Sequence, residues 1–229
     1  GVRGAASAAD TGGGAVYRIS ALDLRSNLHM TLKEGAILRA DNDTNLWPKR
    51  SSGHASTLAP CRNIISGDGI HNVTIDGGGL IDGQGQAWWD LAHRMLRRIP
   101  PVKTDGLRPR MIACEDCSDF VVREIRMLNS PSFHLFISGD NCEVTDISIQ
   151  SPEYGLAPNT DGIDIACNGA YIARNHVVNG DDSLCVKSPG SNILFEDNYA
   201  EQGKLLSSFS QSISALSVWL HQLNTPSPC

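Results

Sequence analysis

The sequence predicts an all-β solenoid. Short segments with an apolar start and a polar middle recur along it, Val122–Ile125, Val144–Ile147, Ile172–Asn175 and Leu194–Asp197. Their first residues are 22, 28 and 22 positions apart, near one turn of a coil whose rungs stack strand on strand. Composition agrees: 22 glycines, 6% aromatic and 19% charged residues suit strands and turns better than helix bundles. An antiparallel sandwich also has short, evenly spaced strands, but this repeat is longer than a simple hairpin.

Taken in order, residues 1–20 form a loose segment apart from Val16–Ile19, residues 21–203 one solenoid domain, and residues 204–229 a divergent end. Leu28–Leu32 and Ala36–Leu38 flank Lys33–Gly35 as strand, turn, strand. Residues 41–60, with Pro48, Gly53 and Pro60, read as a long loop. Alternation returns at Ile70–Ile75, and Asp76–Gly79 turns the chain into Leu80–Gly83. Residues 86–98 are the best helix, either Trp88, Leu91, Met95 and Arg98 or Trp89, Ala92 and Leu96 sharing a face. Arg94, Arg97, Arg98, Lys103, Arg108 and Arg110 make the most basic patch, a solvated face or an attraction for an anionic polymer. Shorter strands are expected at Phe133–Ile137, Gly162–Ile165 and Ser183–Val186.

The bulk properties exclude several classes. A chain of 229 residues supports one sizeable core, and a net charge of -6 argues against a nucleic-acid or anionic-membrane partner. No apolar run is long enough to span a bilayer. The first residues carry neither an initiating Met nor the apolar core of a signal peptide. Seven cysteines leave an odd one, and Cys114 and Cys117 have redox or zinc half-site spacing with no second half. Disulfides or buried thiols are therefore expected there rather than metal. Sequons at Asn42 and Asn72 fit a secreted route.

The chemistry concentrates between Asn159 and Ser188, where Asp161, Asp181 and Asp182 lie close in sequence. On neighbouring rungs about 4.8 Å apart, such carboxylates can face one cleft at the spacing glycoside hydrolases use. Crowding would keep one protonated as a general acid while another activates water. Adjacent strand residues point to opposite faces, so Asp181 and Asp182 need a bend, for which Gly180 is placed. Asp beside Gly is equally the chemistry of an ordinary turn.

Asn159–Asp164 (NTDGID) followed by Gly180, Asp181 and Asp182 resembles the first two signature motifs of the polygalacturonases, the pectin-degrading glycoside hydrolases of family 28. Ile81–Gly85 with Trp88 and Trp89, Arg108–Arg110 and Leu128–Pro131 extend the likeness from about residue 20 to 203. The resemblance implies a single-stranded right-handed parallel β-helix and inverting hydrolysis of α-1,4-galacturonosidic bonds in pectin. It implies Asp181 as general acid, Asp161 and Asp182 as the pair that holds and deprotonates water, and Asn159 as a substrate-binding residue. It implies no metal and no cofactor, a polysaccharide partner, a monomer, and an extracellular or cell-wall location.

The pattern breaks after Gly203. Gly203–Leu205 stands where the family has Gly-His-Gly, and its Arg-Ile-Lys motif does not occur. His176 reads as a surface or turn histidine. Leu205, Leu206, Phe209, Ile213, Leu216, Trp219, Leu220 and Leu223 recur at helical spacing, so a helical segment capping the solenoid end is expected. A truncated or alternatively spliced product is the expectation for this end. Three functions then compete: a hydrolase, a catalytically silent β-helix that binds wall polysaccharide, and a lyase, for which Lys187 is the only nearby base.

Overall fold

Residues that alternate apolar and polar send the apolar set to one side of an extended chain. A computed structural model shows that outcome along the protein. It describes residues 14–45, 47–48, 61–104, 107–153, 155–201, 206–207 and the backbone of 208 and 216–222. The early strands are β1 (Val16–Ile19), β2 (Leu22–Asp23), β3 (Leu28–Thr31), β4 (Ile37–Ala40), β5 (Ile65–Asp68), β6 (His71–Asp76) and β7 (Leu80–Asp82). Helix α1 (Gln86–Leu96) follows, then β8 (Ile112–Arg123), β9 (Arg126–Leu128), β10 (Leu135–Thr145), β11 (Ser148–Gln150) and β12 (Ile163–Ala173). The last are β13 (His176–Val178), β14 (Leu184–Val186), β15 (Ser191–Glu201), β16 (Leu206–Ser208) and β17 (Leu216–Gln222).

Every pairing between these strands is parallel, and each joins a strand to its equivalent on the next rung. The coil therefore has three faces. One runs β2, β5, the start of β8, the start of β10, the start of β12, β14 and β16. A second runs β3, β6, the far halves of β8, β10 and β12, β15 and β17. The third runs β1, β4, β7, β9, β11, β13 and the end of β15. This is the parallel β-helix expected from the repeat. The strand-turn-strand reading of residues 28–38 holds locally, but β3 and β4 pair with later rungs and not with each other.

In-register stacking puts like residues on like. Ile65, Ile112, Leu135, Ile163 and Leu184 form one fully buried column, and Met127, Ile149 and Val177 another. Glu124, Asp146, Arg174 and Asp197 share a left-handed backbone conformation at one corner of successive rungs. That corner corrects the fourth repeat: Phe195, not Leu194, is the partner of Ile172. Both residues are apolar, but only Phe195 points into the core. Cys114 bonds Cys117, as expected for that spacing, and Cys142 bonds Cys167.

The helix at 86–98 ends at Leu96 and buries Trp88, Trp89 and Ala92. The helical segment expected at the C-terminal end is overturned where the end is described. β16 instead continues the first face of the coil, and β17 the second and, at its end, the third. The last rung offers a row of unpaired N–H and C=O groups, and filling that row outweighs a helical spacing of Leu residues. Residues 49–60, 209–215 and 223–229 lie outside the described residues.

Candidate active site

Strand parity decides what the first face shows to solvent. Ile163 and Ile165 of β12 point inward, so Asp164 between them points out, in register with Phe136, Cys185 and Ser207 on neighbouring rungs. Just before β12 and β14 the chain leaves extended geometry. Asp161 lies in the first of these approaches, and Asp181 and Asp182 in the second. One nearest oxygen from each of these three carboxylates lies within 4.8 Å of the others. The structure thus gathers the three residues that the sequence singles out.

The approaches are fixed by buried polar contacts. Asn179 donates through Nδ2 to the carbonyls of Thr160 and Asp182, at 2.9 and 3.0 Å, and accepts the Ser183 hydroxyl at 2.9 Å. The Thr160 hydroxyl donates to Ala157 O at 2.8 Å and accepts the Gly180 N–H at 3.2 Å. A Cβ on Gly180 would stand 2.8 Å from the carbonyl oxygens of Pro152 and Ala157, so only glycine lets the chain bend here. That bend permits Asp181 and Asp182 to share a cleft, and the Asp182 N–H donates to Asp181 Oδ1 at 2.9 Å. Asn159 is held by Arg108, a buried guanidinium that donates 2.7 Å to its Oδ1. Arg108 also donates to the carbonyls of Pro131, Pro158 and Thr104.

The charges are unevenly distributed. Burial, then Asp164 and Asp181, pushes the Asp161 carboxyl up to about 8, against the pull of Lys187. Burial likewise raises Asp164, against the pull of Lys187 and Arg110. The Lys187 ammonium sits 3.5 Å from Asp161 and 3.4 Å from Asp164, and is the counter-charge of both. It also lies 5.2 Å from the centre of the Phe133 ring, which Arg110 approaches to 5.1 Å. Lys187 and Arg110 thus both approach the Phe133 ring, and Lys187 joins it to the carboxylates. His134 is wholly buried, and desolvation holds it down to about 4. It is neutral: its Nδ1 donates to Asp161 O, and its Nε2 accepts the Ser130 N–H.

Ser207 completes the cluster. Its hydroxyl donates to Asp182 Oδ2 at 2.6 Å, from β16, where a capping helix was expected. Sequence reasoning missed it because the helical period hid the strand. It also left Asp164 unassigned, although the Ile163-Asp164-Ile165 alternation marks that side chain as outward. Lys187 was weighed as a lyase base and proves to be a paired counter-ion. His176 bonds Glu201 on the third face. Asp161, Asp181 and Asp182 are the group of described residues whose oxygens are close enough to share a cation.

A groove of about 380 Å³ opens beside Asp181. Ala92, His93 and Leu96 of α1 form one wall, Gly155, Pro158 and Asn159 the other, with Lys103 and Thr104 between. No helix among the described residues is long and apolar enough to cross a membrane.

Comparison with known proteins agrees with this geometry. An endo-polygalacturonase of Pectobacterium carotovorum subsp. carotovorum is 30% identical over 199 residues, covering 81% of this chain and 48% of that protein. A polygalacturonase of Cryptomeria japonica is 35% identical over 132 residues, covering 56% of this chain and 25% of that protein. Among solved structures, the polygalacturonase from Erwinia carotovora ssp. carotovora superposes with a TM-score of 0.73 at 28% identity. That match covers 82% of this chain and 53% of the other. The chain thus spans about half the length of the bacterial relatives it matches. The profile of glycosyl hydrolases family 28 matches residues 21–212, and with the gathered carboxylates on a parallel β-helix this places the chain in that family.

Proposed function

We propose that this chain hydrolyses α-1,4-galacturonosidic bonds of pectin. The observation that carries the reading is the meeting of Asp161, Asp181 and Asp182 within 4.8 Å on a face that also presents Lys187 and Arg110. In this reading Asp181, the half-buried member beside the groove, gives its proton to the glycosidic oxygen as the C1–O bond breaks. Water attacks C1 from the other side, and Asp182 takes its proton. Asp161, the carboxyl that burial and crowding keep protonated, orients that water by a hydrogen bond. Ser207 aims Asp182. Asn159 contacts the sugar, and the two disulfides and sequons support action outside the cell, at the wall.

The family resemblance implies inversion, whereas direct displacement on general grounds uses carboxyls about 6.5–9.5 Å apart with water between them. Here the nearest oxygens are closer, which suits a water held at the edge of the cluster by Asp161 and Asp182 together. Reducing-sugar release from polygalacturonic acid, beside an Asp181→Asn control, tests the activity. Release lost in the control supports the assignment. A folded parent chain that releases nothing would leave a catalytically silent β-helix that binds wall polysaccharide. Proton NMR of the first-formed anomer reads the stereochemistry.

A further inference from the structure

We infer that Asn42, and not Asn72, is N-glycosylated, and that the acetamido group of its first sugar, N-acetylglucosamine, seats in a recess beside it on the third face. The inference rests on the location outside the cell proposed above and is independent of the hydrolysis. Both sequons present an exposed asparagine, but the surroundings differ. Asn72 has a left-handed backbone at a corner of the coil, and its Nδ2 donates 2.9 Å to Oδ1 of Asn27, another left-handed residue. A sugar on that nitrogen would break into the stacked pair. Asn42 lies just past β4, and its amide has no hydrogen-bond partner among the described residues. The turn that carries it is held in place. The Asp43 N–H donates to Asp41 Oδ1 and the Asn45 N–H to Asp43 Oδ1, while the buried Trp47 donates through Nε1 to Arg62 O.

The recess has a volume of about 70 Å³ and is lined by Arg18, Arg39, Ala40, Asp41, Asn42 and Gln84. One water takes about 30 Å³ in the liquid, so the recess admits a small polar group and not a whole sugar ring. Asp82 fixes two of its donors: Arg39 Nε donates 3.1 Å and Gln84 Nε2 2.6 Å to Asp82 Oδ2. That leaves Gln84 Oε1 as an acceptor for the acetamido N–H. Arg18 is exposed, stands in register with Arg39, and has no acidic partner among the described residues. Its guanidinium is the donor for the acetamido carbonyl. Charge argues for such a neutral guest. Asp82 offsets Arg39, and Asp41 shares the lining with Arg18, so an inorganic anion meets no net positive charge. The carboxylate cluster belongs to the first face, and a glycan here leaves its cleft open.

The test secretes the full chain from a eukaryotic host and maps its glycopeptides. The expected result is sugar on Asn42 and none on Asn72, lost in Asn42→Gln and Thr44→Val and kept in Thr44→Ser and Asn72→Gln. Sugar on Asn72, or on neither residue, overturns the assignment. The recess is tested by trimming the glycan enzymatically to its first sugar. The trimmed chain should melt about 2–4 °C above Asn42→Gln, the shift of about one net hydrogen bond in a chain of this size. With Arg18→Met in both chains, that difference should fall below about 1 °C. An equal gain with and without Arg18, or no gain in either, overturns the recess as the seat of the sugar. If Asn42→Gln is not secreted, Thr44→Val supplies the sugar-free reference. The chain recovered from its own source cells separates location from site. Asn42 bare there, yet glycosylated by the secretory host, refutes the location and leaves the acceptor standing.

Discussion

Replacing Ser207 by alanine removes one hydroxyl, and the structure says what that hydroxyl does. It donates 2.6 Å to Asp182 Oδ2, an O–H···O contact of the short kind made to carboxylates. Such a bond contributes about 1.5–3 kcal/mol; the half-buried position of Ser207 favours the lower end. If the bond aims Asp182 at water only as the proton moves, losing about 1.5–2 kcal/mol lowers kcat roughly 10- to 30-fold. KM should stay within about twofold, because Ser207 does not line the groove beside Asp181. Ser207→Thr keeps the donor and should keep most of the rate. The assay is initial-rate release of reducing ends from polygalacturonic acid over a range of concentrations. A Ser207→Ala rate within about twofold of the parent would refute the reasoning, as would a rise in KM at constant kcat.

Two further outcomes follow from buried charge. Arg108→Met removes the donor to the carbonyls of Thr104, Pro131 and Pro158 and to Asn159 Oδ1, all at a residue 3% exposed. Denaturant unfolding should show a loss of about 3–5 kcal/mol, and Arg108→Lys should not rescue it, because an ammonium cannot span the planar fork; a loss under about 1 kcal/mol would show that water replaces the guanidinium. Asp161→Asn acts in the other direction. The folded protein holds the Asp161 proton up to about 8, above the 3.8 of an ordinary aspartate, so ionisation favours the unfolded chain as pH rises between those values. The variant should gain stability over the parent at pH 8 and show little gain at pH 4, read from paired urea melts; a gain that is larger at pH 4 would place the proton elsewhere. The parent also carries His134, depressed to about 4, whose contribution is present above 6.5 and lost as pH falls toward 4. Comparing variant with parent at each pH cancels it.

Why the sequence revealed some of this and hid the rest is a matter of which interactions are periodic. The coil was legible because each rung repeats one pattern, and Val122, Val144 and Ile172 stack in register where they were expected. Leu194 slipped by one residue because two neighbouring apolar side chains satisfy the pattern equally, and only corner geometry separates them. The carboxylate cluster was legible because turn-like Asp residues sit on consecutive rungs. Its supports were not. Arg108 and Asn159 are 51 residues apart and Ser207 and Asp182 are 25 apart, and single polar contacts across loops leave no period to read. The C-terminal segment shows the sharper conflict: its Leu residues fit a helix, yet β16 is set by the strand edge waiting on β14. Strand edges impose extended geometry on whatever chain reaches them, within limits set by proline and charge. A segment that departs from the family's motif can therefore still deliver a side chain to the carboxylate cluster, provided parity turns it outward. Ser207 meets that condition, being in register with Cys185 and Asp164 on the outward row. Pairing fixes the backbone and parity fixes the direction, so the identity of the side chain at that one position decides whether Asp182 has a donor.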